Sequence, residues 1–189
     1  SKQPLQPKPE RDAIKDGKVI DTSMGLTPLA GMMMGSRCGD IDASAVTYMM
    51  EKLGKTPQEM ADYLNKESGV LGITGISSDM REIEAAEAAG DERAILALKM
   101  YTYRIKKYIG AYAAAMGGVD VIVWTAGVGE NQTSLRMDSC AGLEFLGIKM
   151  DAEKNNCRGV ERILSTDDSK VKVVLIPTDE EIVIARDTQ

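Results

Sequence analysis

Two apolar runs, "VDVIVWT" at residues 119–125 and "VKVVLIPT" at residues 171–178, constrain the fold more than any other feature of the chain. Neither alternates apolar with polar residues. Each therefore reads as a buried strand of a helix-covered parallel sheet. The first runs into "AGVGENQ" and the second into "DEE". Helical segments precede and separate them, and strands alternating with helices mean α/β architecture with a parallel core. In such sheets ligands bind beyond the carboxyl ends of strands. The first junction reads as a tight glycine turn. Gly127 and Gly129 lack Cβ atoms, so a flat or phosphorylated ligand can approach the backbone. The helix expected from about Thr133 to Cys140 opens with free amides. Two parallel strands that both end in acid-bearing turns can share one metal and nucleotide site. The competing reading is a purely structural turn, because a short GxGxN pattern also arises by chance.

The remaining segments are punctuated clearly. Residues 1–12, "SKQPLQPKPERD", hold three prolines and no apolar face, and read as a tail or linker. Asp16-Gly17 within "AIKDGKVID" marks a hairpin. "TSMGLTPLAGMMMGSRCGDID" follows as a long ordered loop, with a short helical piece expected at its middle. Loops of that length tend to carry function. Asp42 is placed to cap "ASAVTYMMEKLG". "TPQE" at Thr56 to Glu59 is a capping box with proline at the first helical position. "GVLGITGISSD" is apolar and broken by glycines. Ser78 is expected to cap "DMREIEAAEAAG". Asp91 opens a long helix that Gly117-Gly118 closes. Along it Ile95, Leu98, Tyr101, Ile105, Tyr108, Ile109 and Tyr112 follow a 3.6-residue period. A further helix is expected after Ile176. The chain shows no internal repeat.

Composition excludes several function classes. The chain has 189 residues, 43% hydrophobic and 28% charged, which suits one sizeable globular domain. A net charge of -6 with no basic run argues against nucleic acid or an anionic membrane as partner. No apolar stretch approaches the roughly 20 residues that span a bilayer. No signal peptide opens the chain. Cys38, Cys140 and Cys157 are odd in number and lack metal-like spacing, so reduced thiols in the cytoplasm are expected. Histidine is absent. Chemistry based on a histidine base, triad or metal ligand is therefore excluded within these residues. Carboxylates, Arg, Lys, backbone amides or a bound metal must serve instead.

Four segments, "DTSMGLTPLAGMMMGSRCGDID", "GITGISSDMREI", "WTAGVGENQ" and "IPTDEEIVIARDT", occur in an order and at distances that resemble the acetate/propionate kinase family of the actin-like sugar-kinase superfamily. The resemblance runs from about Ala13 to Thr188 and covers the C-terminal half of the family's proteins. It implies an actin-like (ribonuclease H-like) α/β fold with a mixed sheet flanked by helices. It implies that residues 13–189 form the C-terminal nucleotide-binding and dimerisation domain of a homodimer, with the N-terminal domain absent. The implied reaction is reversible phosphoryl transfer from ATP to acetate or another short carboxylate, with Mg2+. Gly127, Val128, Gly129, Glu130 and Asn131 fall on the family's adenosine motif. Asp79, Met80 and Arg81 fall on a second adenosine-contacting segment, where the family often has Phe in place of Met80. Arg37 matches an arginine that stabilises the transferring phosphoryl group, Glu180 a magnesium-associated glutamate, and Pro28 a wall of the acetate methyl pocket. Where the family runs from a "HLGNGSS"-like phosphate loop into the hairpin, this chain has "PKPERD". Both phosphate loops are thus expected to be missing, and the isolated chain is expected to be inactive without a partner half.

Each of these residues also has a plainer reading. An arginine in a glycine-rich loop is commonly a structural hydrogen-bond donor. Asp179, Glu180 and Glu181 can equally favour a helix macrodipole. Asp40 and Asp42 read as caps before ligands. Met32 to Met34 read as core or interface, the cysteines as inert, and Lys106-Lys107 as a solvated face. On this plainer view the chain is a nucleotide-binding or dimerisation module without turnover.

Overall fold

In a computed structural model of the chain, residues 12–178 are described. The chain divides into two units, Ser1–Tyr112 and Ala113–Gln189. In the first, β1 (Asp12–Lys15) and β2 (Lys18–Thr22) form an antiparallel hairpin. Asp16 at φ 53° and Gly17 at φ 73° both adopt the left-handed conformation that a two-residue turn of this kind requires. Pairing reaches from Asp12↔Thr22 to Lys15↔Lys18, so strand structure begins inside the segment read as a tail.

The long loop, residues 23–42, contains bends and turns and no helix, so the helical piece expected at its middle does not form. Its residues are held by contacts that a helix could not make. Gly31 has φ 92°, and a Cβ there would lie 2.2 Å from the Ser23 carbonyl oxygen. Asp40 fastens the loop at this point. Its amide donates to the Gly31 carbonyl at 2.9 Å, and its carboxylate accepts from the Gly31 amide at 2.8 Å. The same carboxylate accepts from the Tyr108 hydroxyl, and Arg104 donates to the Asp40 carbonyl at 2.9 Å. Asp40 is therefore a cross-brace and not a helix cap. Burial, reinforced by the bond to Asp40, pushes the Tyr108 hydroxyl above the ordinary tyrosine range. Met32 and Met33 are buried, which assigns them to the core.

Asp42 does cap α1 (Ala43–Leu53), accepting from the Ser44 amide at 2.8 Å. Both halves of the capping box form at α2 (Pro57–Lys66). The glycine-broken segment holds a short helix, α3 (Gly69–Thr74). The cap of α4 (Met80–Ala88) is Asp79 and not Ser78. Ser77 Oγ accepts from the Asp79 amide at 3.0 Å, which shifts the helix start one residue along. Asp91 opens α5 (Glu92–Met116), accepting from the Ala94 amide at 2.8 Å. Ala94, Ala97, Leu98, Tyr101 and Ile105 form its buried face. The two alanines extend the expected stripe to positions where only a small side chain was needed.

The second unit carries a mixed sheet of order β3-β5-β4. Its strands are β3 (Val121–Trp124), β4 (Arg162–Ile163) and β5 (Lys172–Leu175), with β3 parallel and β4 antiparallel to β5. Helices α6 (Ala126–Asn131), α7 (Thr133–Cys140) and α8 (Ala152–Asn155) complete the unit, with a 3-10 turn at Glu144–Leu146. Contrary to expectation β3 is not buried on both faces: Val121 and Val123 are 49% and 50% exposed. The cause is that one whole face of the sheet is uncovered, so exposure follows the face and not the strand. Register puts Val121, Val123, Ile163 and Val174 on one face, which is open, and Trp124, Val173 and Leu175 on the other, which is buried. The helix expected after β5 lies outside the described residues. Among the described residues no helix is long and apolar enough to cross a membrane.

Tyr108→Phe tests the cross-brace, since it removes the hydroxyl and keeps the ring. It is expected to cost about 1 kcal/mol in urea unfolding, a value kept low because the pair is partly solvated. The Gly31 amide should exchange faster in the same variant. Unchanged exchange at Gly31 would show that the hydroxyl does not hold the loop.

Candidate functional site

Within the first unit, Arg37 sits on a turn closed by the Met34 amide donating to the Arg37 carbonyl at 3.0 Å. The start of α3 supports this turn from below. Ser68, Val70 and Leu71 donate their amides to the carbonyls of Ser36, Met34 and Gly35, at 3.0, 3.0 and 2.8 Å. These are amides that a helix start leaves without partners. Gly69 makes the approach possible: it has φ 63°, and a Cβ there would fall 2.3 Å from the Met34 carbonyl oxygen. On the other side the Cys38 amide donates to the Leu64 carbonyl and Ser36 Oγ to the Asn65 carbonyl, both at 3.0 Å. The backbone of Arg37 is thus fixed along its length. Among the described residues its guanidinium reaches only the Met34 thioether, at 3.8 Å. Among the described residues it has no ion pair with a carboxylate. A held cation with no counter-ion among the described residues is suited to meet an oxyanion.

The Arg37 turn and the Asp79–Arg81 segment are neighbours. A Cβ on Gly35 would lie 2.6 Å from the Ser78 carbonyl oxygen, so the two backbones touch. Asp79 caps α4, and its carboxylate is gripped by Arg81 Nε at 3.1 Å and Nη2 at 2.6 Å. The Arg81 hydrogen bond, more than any other cause, lowers the Asp79 carboxyl to about 2. Met80 is 7% exposed and packs inward. Pro28 is half-buried on the loop that Asp40 braces, beside a fully exposed Leu26.

In the second unit the strand-to-helix junction differs from the expected turn. α6 begins directly after Thr125, so Gly127 and Gly129 are helical residues. The reversal falls on Ala126 instead, at φ 59°, with its amide donating to Thr178 Oγ1 at 3.2 Å. Gly127 has nothing within 4 Å of where a Cβ would stand, so its surface is open. Gly129 is buried, with Trp124 Cε3 3.6 Å from the equivalent point. Val128 is half-buried, and Asn131 Nδ2 donates back to the Gly127 carbonyl at 2.8 Å. Glu130 ties α6 to the chain just beyond β5: its carboxylate accepts from the Thr178 amide at 2.8 Å and from Thr178 Oγ1 at 2.6 Å. Burial acts to raise the Glu130 carboxyl, and the Thr178 and Ala126 hydrogen bonds outweigh it, leaving the group below its ordinary range. Glu180 lies outside the described residues.

Thr178 and Arg136 are residues that the sequence reading does not single out. Thr178 precedes the acids of the second strand end. Arg136 shares with Ser139 and Cys140 a buried face of α7, a 3- and 4-residue spacing that flags a charge in an apolar position.

Residues 11–186 match the Acetokinase family. The chain belongs to this family. An acetate kinase of Phocaeicola vulgatus is 67% identical over 176 residues, covering 93% of the chain and 44% of the relative. The crystal structure of Porphyromonas gingivalis acetate kinase matches with a TM-score of 0.91 at 54% identity, over 94% of this chain and 45% of that one. A propionate kinase from Francisella tularensis matches with a TM-score of 0.85 at 40% identity, over 93% and 44%. The chain thus spans less than half the length of these relatives, and it shares their α/β fold.

Among the described residues no three His, Cys, Asp or Glu side chains gather into a metal cage. Magnesium held chiefly by substrate phosphates and water asks for no such cage.

The Asp79 pair sets a pH expectation for this chain. Because the folded pKa is depressed, the stabilisation is complete above the ordinary value of 3.8 and is lost as pH falls through about 2. The Asp79 carboxyl carbon should therefore titrate near pH 2 by NMR. A midpoint at the ordinary value would show that Arg81 does not hold it.

Proposed function

We propose that this chain is the adenosine-binding part of an acetate kinase. In the reaction an acetate oxygen forms a bond to the γ-phosphorus of ATP while the bond from that phosphorus to the β,γ-bridging oxygen breaks. Acetyl phosphate and ADP result, reversibly. The observation that carries the reading is Arg37, a cation on a fixed turn with no carboxylate partner among the described residues. Catalysis of phosphoryl transfer rests on positioning and charge stabilisation, and a planar guanidinium fits the equatorial phosphoryl oxygens.

Further roles follow from the same reading. The open surface of Gly127, with Val128, Gly129, Glu130 and Asn131 around it, receives adenosine. The segment Asp79, Met80 and Arg81 is read as a second contact through Asp79 and Arg81, with the Met80 side chain packed inward. Pro28 walls the acetate methyl pocket, and Glu180 attends Mg2+, which supplies charge neutralisation on the phosphates when bound. Acetate is preferred over propionate because relatives that are 60% and 67% identical to the chain are acetate kinases. The remaining length of the relatives supplies the rest of the phosphate and acetate contacts, so the chain alone is inactive. We also propose a homodimer: Leu96, Met100 and Tyr103 form an exposed apolar stripe at spacings of 4 and 3 on α5. The free cysteines suit a cytoplasmic enzyme.

Trp124 is the only tryptophan and lies against Gly129, so its fluorescence reports on α6. Titration with ADP should change that fluorescence. Gly127→Ala should weaken ADP about tenfold while leaving stability unchanged or raising it by up to about 1 kcal/mol, since alanine favours helix. Arg37→Ala should leave the ADP titration unchanged. Combined with the N-terminal half of a relative, Arg37→Ala should lower acetyl phosphate formation, trapped as hydroxamate, by about 10²–10⁴. Absence of any ADP response at millimolar concentration would sink the nucleotide reading. A fully active Arg37→Ala would sink the catalytic assignment.

A further inference from the structure

We infer that Arg136 is a positioning residue for nucleotide: it fixes the backbone of α6, the helix on which adenosine is proposed to lie, and so rests on the reading above. Arg136 is 0% exposed. A guanidinium has five N–H donors, and each finds an acceptor here. Nε donates to Asn155 Oδ1 at 2.9 Å. Nη1 donates to the carbonyls of Gly129 at 2.7 Å and Glu130 at 3.1 Å. Nη2 donates to the carbonyls of Asn155 at 2.8 Å and Cys157 at 2.7 Å. Four acceptors are main-chain carbonyls and the fifth is an amide oxygen. No carboxylate takes part.

The Gly129 and Glu130 carbonyls belong to the last turn of α6, where a helix has no amide donors of its own to offer its carbonyls. A cation is favoured at that end. With six residues α6 is too short to hold itself together. It is fixed from outside at both ends: at the start by the Ala126 bond to Thr178, at the finish by Arg136. The other arm of the guanidinium holds the end of α8 and the residues after it, so one side chain joins three stretches of chain.

Burying a cation without an anion is costly, and burial indeed lowers the Arg136 pKa. An apolar side chain of similar volume would fill the space at less cost. What an apolar side chain cannot do is set the direction of five bonds at once. Lysine cannot do so either: it keeps the charge, but it has one nitrogen and lacks the planar fork. The function served is therefore geometric, and it is exerted on Gly127 to Asn131.

The experiment uses Arg136→Lys in the whole chain, with circular dichroism for the fold, amide exchange without ligand, and ADP titration through Trp124. The expected result is an intact fold, exchange at residues 130–132 faster by about tenfold with Val173 and Leu175 unchanged, and ADP binding weaker by about tenfold. Exchange and ADP affinity equal to wild type would overturn the inference. Exchange that rises equally in β5 would also overturn it, because Arg136 would then serve general stability. If Arg136→Lys does not fold, Asn155→Ala removes one acceptor and keeps the four carbonyls, and it is judged by the same local pattern on a smaller scale. A wild-type chain that shows no ADP response removes the nucleotide reading and the positioning role with it. A response unaltered by the Lys variant removes the positioning role alone.

Discussion

The first unit depends on one carboxylate. Asp40 accepts from Gly31 on its own loop and from Tyr108 on α5, while its carbonyl receives Arg104. Without this brace a 20-residue stretch with no regular structure would meet the entropy of ordering by itself. Pro28 and Arg37 lie on that stretch, to either side of the Gly31 contact. The start of α3 then supports the Arg37 turn, and the turn abuts Ser78. Loop, helix start and α4 cap form one continuous chain of dependence.

The two arginines of interest show opposite electrostatic designs. Arg136 is sealed, and every donor it has is engaged by the protein. Arg37 is half-exposed, and among the described residues its guanidinium has only a thioether for a partner. The first arrangement makes shape and the second leaves capacity for a ligand. Neither would work in the other's place. A fully engaged guanidinium has nothing left for phosphate, and one with a single weak partner directs no backbone.

Much of this is legible in the residues. Asp16-Gly17 gives the hairpin because both positions must take positive φ. Thr56 to Glu59 gives the start of α2 because its two hydrogen bonds are local. Parallel pairing of β3 and β5 follows from two apolar runs separated by helices. Elements set by distant contacts are harder to read. β4 is two residues long and exists only through pairing with β5. The apolar run of β3 does not reveal that one of its faces is open, since a run lacks the alternation that would mark it. α6 hides because two glycines in six residues argue against helix, and what holds it, Thr178 and Arg136, lies elsewhere in the sequence. The candidate residues themselves are legible through the family's motifs. The physical reason for their placement is not, because Arg136 gathers acceptors that lie up to 21 residues from it in sequence.

Ala126 carries a consequence for what this sequence can become. At φ 59° it holds a conformation that β-branched side chains scarcely reach and proline cannot adopt. Valine, threonine and proline are all one nucleotide away from an alanine codon, and each would be rejected by the backbone before any ligand was consulted. Glycine, also one step away, relieves the conformation but frees the junction in the unfolded chain. Position 126 is thus closed to valine, threonine and proline, and that closure arises from torsion angles at the end of a strand, independently of any contact its methyl group makes.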